Sequence, residues 1–174
     1  MVNALVLKGF GLFKGLDEKE LATIAELCSE RAMSKGETIC SEGTRAKNIH
    51  LCRSGQVDIV MWVREPWNKN VVVHRAEAGE VFGWSALVAP YSFTASAECV
   101  ESGAEIRILG PALLELFDQN PHIGYVVMRN LSTEISARLT QIRQKFSIEW
   151  LTSGIPSDSG SSTWGEPGRR GSST

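Results

Sequence analysis

The chain has 174 residues, 43% of them hydrophobic and 22% charged, which suits one globular domain with a sizeable buried core. Its 18 Lys and Arg against 20 Asp and Glu leave a formal net charge of −2, whereas a surface that binds nucleic acid through charge is normally basic. At 7%, the aromatic content is too low for an extended base-stacking platform.

Four cysteines, Cys28, Cys40, Cys52 and Cys99, form no CxxC pair, and their wide spacings read as reduced thiols in a cytoplasmic protein rather than a disulfide framework. No stretch reaches the roughly 20 apolar residues of a membrane span. The apolar run from Ala4 to Leu7 stops at Lys8, short of a secretion signal.

The first 35 residues read as helical. Asp17 followed by Glu20 has the spacing of a capping box, and Leu21, Ile24, Ala25 and Cys28 recur at helical intervals. From Met33 to Leu109 the apolar period switches to two. Val57, Ile59, Met61 and Val63 alternate with their neighbours, as do Ile49 and Leu51, Val71 and Val73, Ala95, Ala97 and Cys99, and Ile106 and Ile108. Gly36, Gly43, Gly55, Gly79, Gly83 and Gly103 punctuate these runs, and Pro66-Trp67-Asn68 marks a turn. Short strands so spaced predict an antiparallel jelly-roll β-barrel over about 31–109.

Past Gly110-Pro111 the chain turns helical again. Asn120-Pro121 supplies an N-cap and first helical residue, and a C-terminal helix over about 121–146 follows. Val127, Leu131, Ile135, Leu139, Ile142 and Phe146 form one stripe along it, with Arg129, Glu134, Arg138, Arg143 and Lys145 assigned to other faces. The stripe fits either a helix lying on its own barrel or a homodimer or partner-protein contact, with Leu131, Ile135, Leu139, Ile142 and Phe146 as the dimer helix.

From Ser153 to Thr174, seven Ser, five Gly and two Pro among 22 residues leave no apolar period, which reads as a flexible tail beyond a 1–150 domain. The 28 residues after Phe146 lack the paired amphipathic helices of a helix-turn-helix, so direct DNA binding is not expected.

Five elements in order carry a resemblance. They are Leu12-Phe13-Lys14-Gly15-Leu16; Lys35-Gly36-Glu37-Thr38-Ile39 with Glu42-Gly43; the run Ile49 to Val57 around Gly55; and Gly79-Glu80-Val81-Phe82-Gly83, followed by a long helix. This series resembles the cyclic nucleotide-binding domain family, which includes the catabolite activator proteins and the regulatory subunits of cyclic-AMP-dependent kinase, over residues 12 to about 146. The resemblance implies a ligand cassette at Phe82, Gly83, Trp84, Ser85, Ala86, Tyr91, Phe93, Thr94 and Ala95, and a C-terminal helix that responds to the ligand.

Two departures stand out against that family. Trp84 occupies the place of the Glu that holds the ribose, and Phe93 that of the Arg that pairs with the cyclic phosphate. No acid or base lies between Trp84 and Ala97. Losing one partner of a buried charged pair costs about 2–5 kcal/mol, so ordinary cyclic AMP or cyclic GMP binding is not expected unless other contacts hold the phosphate. Backbone amides of the Ser85-Ala86-Leu87 turn, or Arg53, Arg64, Arg75 or Arg107 from a strand, are the sources available in the sequence.

Trp84, Tyr91 and Phe93 then fit two readings: rings that fill the old pocket and leave a dimerisation or docking unit, or aromatic walls for a changed, flat or apolar ligand. No cofactor is required by either. His50 and Cys52 share a strand face, but there is no HxH pair, HExxH helix or cysteine cluster for metal, and no GxSxG or carboxylate pair for catalysis. A regulatory, non-enzymatic module is the reading that results.

Overall fold

The computed structural model describes residues 2–64 and 68–152, with side chains to Ser147. Its elements run α1 (Ala4–Leu7), a 3-10 turn (Gly11–Phe13), α2 (Glu18–Glu26), β1 (Cys28–Met33), β2 (Thr38–Cys40), β3 (Asn48–Val63), β4 (Lys69–Ala76), β5 (Val81–Phe82), a second 3-10 turn (Trp84–Ala86), β6 (Ser96–Leu109), α3 (Gly110–Gln119) and α4 (Pro121–Thr152). Of the tail expected over 151–174, Leu151 and Thr152 continue α4 and the rest lies outside the described residues, as does most of the Pro66-Trp67-Asn68 turn.

The capping box forms. The Asp17 carboxylate accepts from the Lys19 and Glu20 amides, and the Glu20 carboxylate accepts from the Asp17 amide. It starts a helix that ends sooner than the helical spacing through Cys28 suggested. Cys28 instead opens β1, because pairing opposite Ile108 of β6 satisfies its backbone in a ladder that continues to Met33 opposite Gly103. Tertiary pairing overrides the local period there.

All six strands pair antiparallel in one sheet, ordered β1-β6-β3-β4, with β2 on β6 and β5 on β3. The strands form the jelly-roll arrangement without closing into a complete barrel. Period two then sorts the side chains. Ile49, Leu51, Ile106 and Ile108 face the helices, joining Leu7, Leu12, Phe13, Leu21, Ile24, Leu113, Val127 and Leu131 in the main core. Cys52, Val57, Phe82, Ala97, Cys99 and Met33 form a second cluster within the roll.

The simple alternation expected from Val57 to Val63 is broken. A register shift between Ile59 and Val60 lets both Val57 and Val60 be buried while Trp62 is exposed. Gly55 needs its glycine: its φ is +82°, and a Cβ would lie 2.4 Å from the Glu101 carbonyl oxygen.

α4 is anchored along its length by three contacts. His122 pairs with Glu20, Asn130 donates to the Leu12 and Lys14 carbonyls, and Lys145 reaches the Val72 carbonyl on β4. The helix therefore runs across the domain from α2 to the far sheet edge, and it extends beyond the expected end at 146 to Thr152.

Candidate functional site

Between β5 and β6 the chain makes a loop that begins at Gly83, whose φ of +69° turns it into the Trp84–Ala86 helical turn. A Cβ at Gly83 would stand 2.8 Å from His50 Cδ2 and 3.3 Å from Phe93 Cε1, so glycine is required sterically as well as conformationally. The loop returns along residues 43–46. Phe93 N–H donates to the Thr44 carbonyl, Gly43 N–H to the Phe93 carbonyl, and Ala46 N–H to the Tyr91 carbonyl. This small ladder fixes the Phe93 ring.

A cavity of about 50 Å³ lies inside the loop, lined by Phe82, Gly83, Trp84, Ser85, Phe93, Thr94 and Ala95 together with Cys40, Ile59, Ser96 and Ala97. Seven of the nine sequence-assigned cassette residues thus converge, and no Asp, Glu, His, Lys or Arg is in the lining. Ala86 and Tyr91 do not converge with them. They line a separate groove of about 550 Å³ beside Leu109, Pro111 and Leu114. Tyr91, whose φ is +56°, lines that groove and not the cavity, in place of its expected role as a wall of the pocket.

Of the other phosphate contacts considered from sequence, the four arginines do not reach the cavity, whereas Ser85 lines it. Arg53 pairs with Glu30, and Arg75 with Asp58 at 2.6 and 2.9 Å. Arg64 is exposed, and Arg107 lies in a different cleft. The Ala86 and Leu87 amides donate to the Gly83 and Trp84 carbonyls within the turn, so they are already occupied.

One cation that meets the cassette was assigned from the sequence to another face of its helix. Arg138 of α4 is 7% exposed, with its guanidinium carbon 5.4 Å from the centroid of the Trp84 ring. Its Nη1 is buried without a hydrogen-bond partner, and burial pushes its pKa below the ordinary arginine value. The signal for this was present: Arg138 follows buried Leu131 by seven residues and buried Val127 by eleven, spacings that put all three on one helix face.

Beside it, His74 of β4 has its pKa lowered first by burial and then by the Arg138 charge. Glu80, 3.2 Å from its Nε2, acts in the opposite direction.

The helix stripe divides. Leu131 belongs to the domain's own core and has no free surface for a second copy, a correction to its place in the dimer helix. Ile135 and Leu139 are exposed, Leu139 by 58%, while Ile142 and Phe146 are half-buried. The cysteines are all free thiols, and burial pushes Cys28 up to about 12 and Cys40 and Cys52 up to about 11. His50 is engaged by Glu105, and no three His, Cys, Asp or Glu side chains converge as a metal cage among the described residues.

The fold is thus a jelly-roll sheet with a loop and helical turn between β5 and β6 and a long C-terminal helix. The cyclic nucleotide-binding domain model matches residues 30–120, and the chain belongs to that family.

Solved structures agree with the fold. A Geobacter metallireducens protein provisionally described as cyclic nucleotide-binding is 28% identical, with 80% of this chain and 99% of that one covered and a TM-score of 0.70. A cyclic nucleotide-binding domain from Methylobacillus flagellatus superposes with a TM-score of 0.72 at 16% identity, over 84% of this chain and 82% of that one. The Thermus thermophilus catabolite activator protein gives 0.66 at 22% identity, over 79% of this chain and 62% of that one.

Proposed function

We propose that this domain is a regulatory module whose cassette is filled by its own side chains, and which acts through α4 on a second copy or a partner protein. One observation supports it above others: where the family fold places its ligand there is a cavity of about 50 Å³ between Trp84 and Phe93, with Arg138 seated over the indole. Small-molecule sites usually enclose roughly 300–1,000 Å³, and a cyclic phosphate also needs a cation that this lining lacks.

Trp84 then does mechanically what a bound ligand would do. It joins the cassette to α4 through the Arg138 guanidinium, so a change at either end is felt at the other. The exposed Ile135 and Leu139 are the apolar positions through which α4 would meet its partner, flanked by the half-buried Ile142 and Phe146.

Titration of cyclic AMP and of cyclic GMP into the full chain by calorimetry tests this. The expected result is no saturable heat at micromolar concentrations, and micromolar binding by either nucleotide would refute a filled cassette. Replacement of Leu139 by Asp should split a homodimer seen by sedimentation, and a protein that is monomeric before the change would shift the proposal to a different partner.

A second reading rests on the unpartnered Nη1 of Arg138. If the Trp84 ring turns out of the cassette while α4 stays in place, that guanidinium becomes the non-standard phosphate contact of a true cyclic-nucleotide receptor. It requires nucleotide binding that Arg138→Met abolishes.

A further inference from the structure

Behind the cassette, on the other side of Phe93, β1, β6 and β3 present a second face with unusual chemistry. Cross-strand registers pair Arg31 with Glu105, Glu105 with Cys52, and Arg107 with His50. Period two therefore puts Arg31, Glu105, Arg107 and His50 on one surface of the sheet, opposite the apolar face built from Ile49, Leu51, Ile106 and Ile108. Glu105 is completely buried and bridges Arg31 at 2.6 Å and His50 at 2.7 Å, and Glu37 holds Arg31 from the other side at 2.5 Å. Both carboxylates nearest this surface are thus committed.

Three cations remain. Arg107 has a buried Nε with no protein partner, while Arg45 and Lys47, on the loop before β3, are exposed and make no side-chain ion pair among the described residues. All three converge on a polar cleft of about 230 Å³ that also includes Thr44, Asn48 and His50. A protein normally separates or neutralises like charges. Here they are gathered around a concavity with no ion pair among the described residues. Glu37 feels the Arg107 charge, and Glu115 and Asp118 share the neighbouring groove with Arg45 and Lys47, but none of these carboxylates lines the cleft.

We infer that this cleft is an anion site for a compact phosphoryl compound, bound by Arg107 from the sheet and by Arg45 and Lys47 from the rim. Guanidinium forks match phosphoryl oxygens in a bidentate way, and lysine adds a mobile point charge. The cleft is smaller than most drug-sized pockets, which favours a small phosphorylated metabolite over a dinucleotide. The site is separate from the cassette cavity, sharing only Cys40 and Phe93 with it, so it stands whether or not the cassette takes a nucleotide.

Thermal unfolding of the full chain with inorganic pyrophosphate, against sodium chloride at equal ionic strength, tests it. The wild type should show a rise that grows with the logarithm of probe concentration and reaches about 5 °C at roughly a hundred times the dissociation constant. Arg45→Ala/Lys47→Ala alters only exposed side chains and should keep the wild-type melting temperature without probe while losing most of the rise. Arg107→Gln should lose it too, and Arg138→Met should retain it. No rise beyond the chloride control overturns the site. So does a rise that survives the loop double variant, and a rise lost in Arg138→Met alone moves the anion to the cassette.

Discussion

Removing a buried positive charge should make this protein more stable. Arg138 is nearly sealed from solvent, yet one guanidinium nitrogen finds no acceptor. An unsatisfied buried donor costs about 1–3 kcal/mol, and more when charged. Against this stands the cation–π contact with the half-buried Trp84, worth about 2 kcal/mol for a desolvated guanidinium, and some attraction from Glu80 and Glu134, so the net penalty rests on the larger cost of a charged donor left unpaired.

Methionine keeps much of the apolar stem over the indole and drops the charge. Arg138→Met should therefore gain about 0.5–2 kcal/mol, a rise in Tm of about 2–6 °C for a chain of this size. Urea unfolding gives the free energy directly. An NMR titration of the same variant supplies an independent reading, because Arg138 helps hold the His74 pKa down and its removal should let that pKa rise. A variant less stable than wild type by more than about 1 kcal/mol, with the His74 titration unmoved, would show that Arg138 is well paired and not seated against the cassette.

Three further outcomes follow from the same structure. The His74 pKa is depressed in the fold, so the unfolded chain binds the extra proton first; stability should be full above about pH 6.5 and decline as pH falls toward the folded-state pKa. His74→Gln should flatten that part of a Tm-against-pH curve, and an unchanged slope would refute the assignment. Glu105→Ala leaves Arg31 and His50 facing a buried gap and should cost about 3–5 kcal/mol by urea unfolding, whereas a loss below 1 kcal/mol would mean the network is solvated. Gly83→Ala combines a left-handed φ with a Cβ driven against the His50 and Phe93 rings; it should cost about 2–4 kcal/mol in thermal or denaturant unfolding, and a neutral result would mean the cassette corner is loose.

Much of this protein can be read along the chain. The capping box of Asp17 and Glu20, the period-two runs, the turn glycines and the stripe beginning at Val127 are local patterns with local causes, and they place the sheet, the cassette and α4 in order. The missing charges at Trp84 and Phe93 are equally a matter of sequence, since identity alone removes the acid and the base from the loop.

What the chain order could not supply was which side chains meet. Cys28 belongs to a strand because β6 is there to pair with it, and Tyr91 lines a separate groove with its carbonyl held by the Ala46 amide. Arg138 caps Trp84, 54 positions earlier in the chain, because α4 folds back across the roll. The converging Arg45, Lys47 and Arg107 likewise come from a loop and a strand some 60 residues apart. Periodicity sets which face of an element is apolar, but only the packing of elements against one another decides where a charge ends up and whether anything neutralises it.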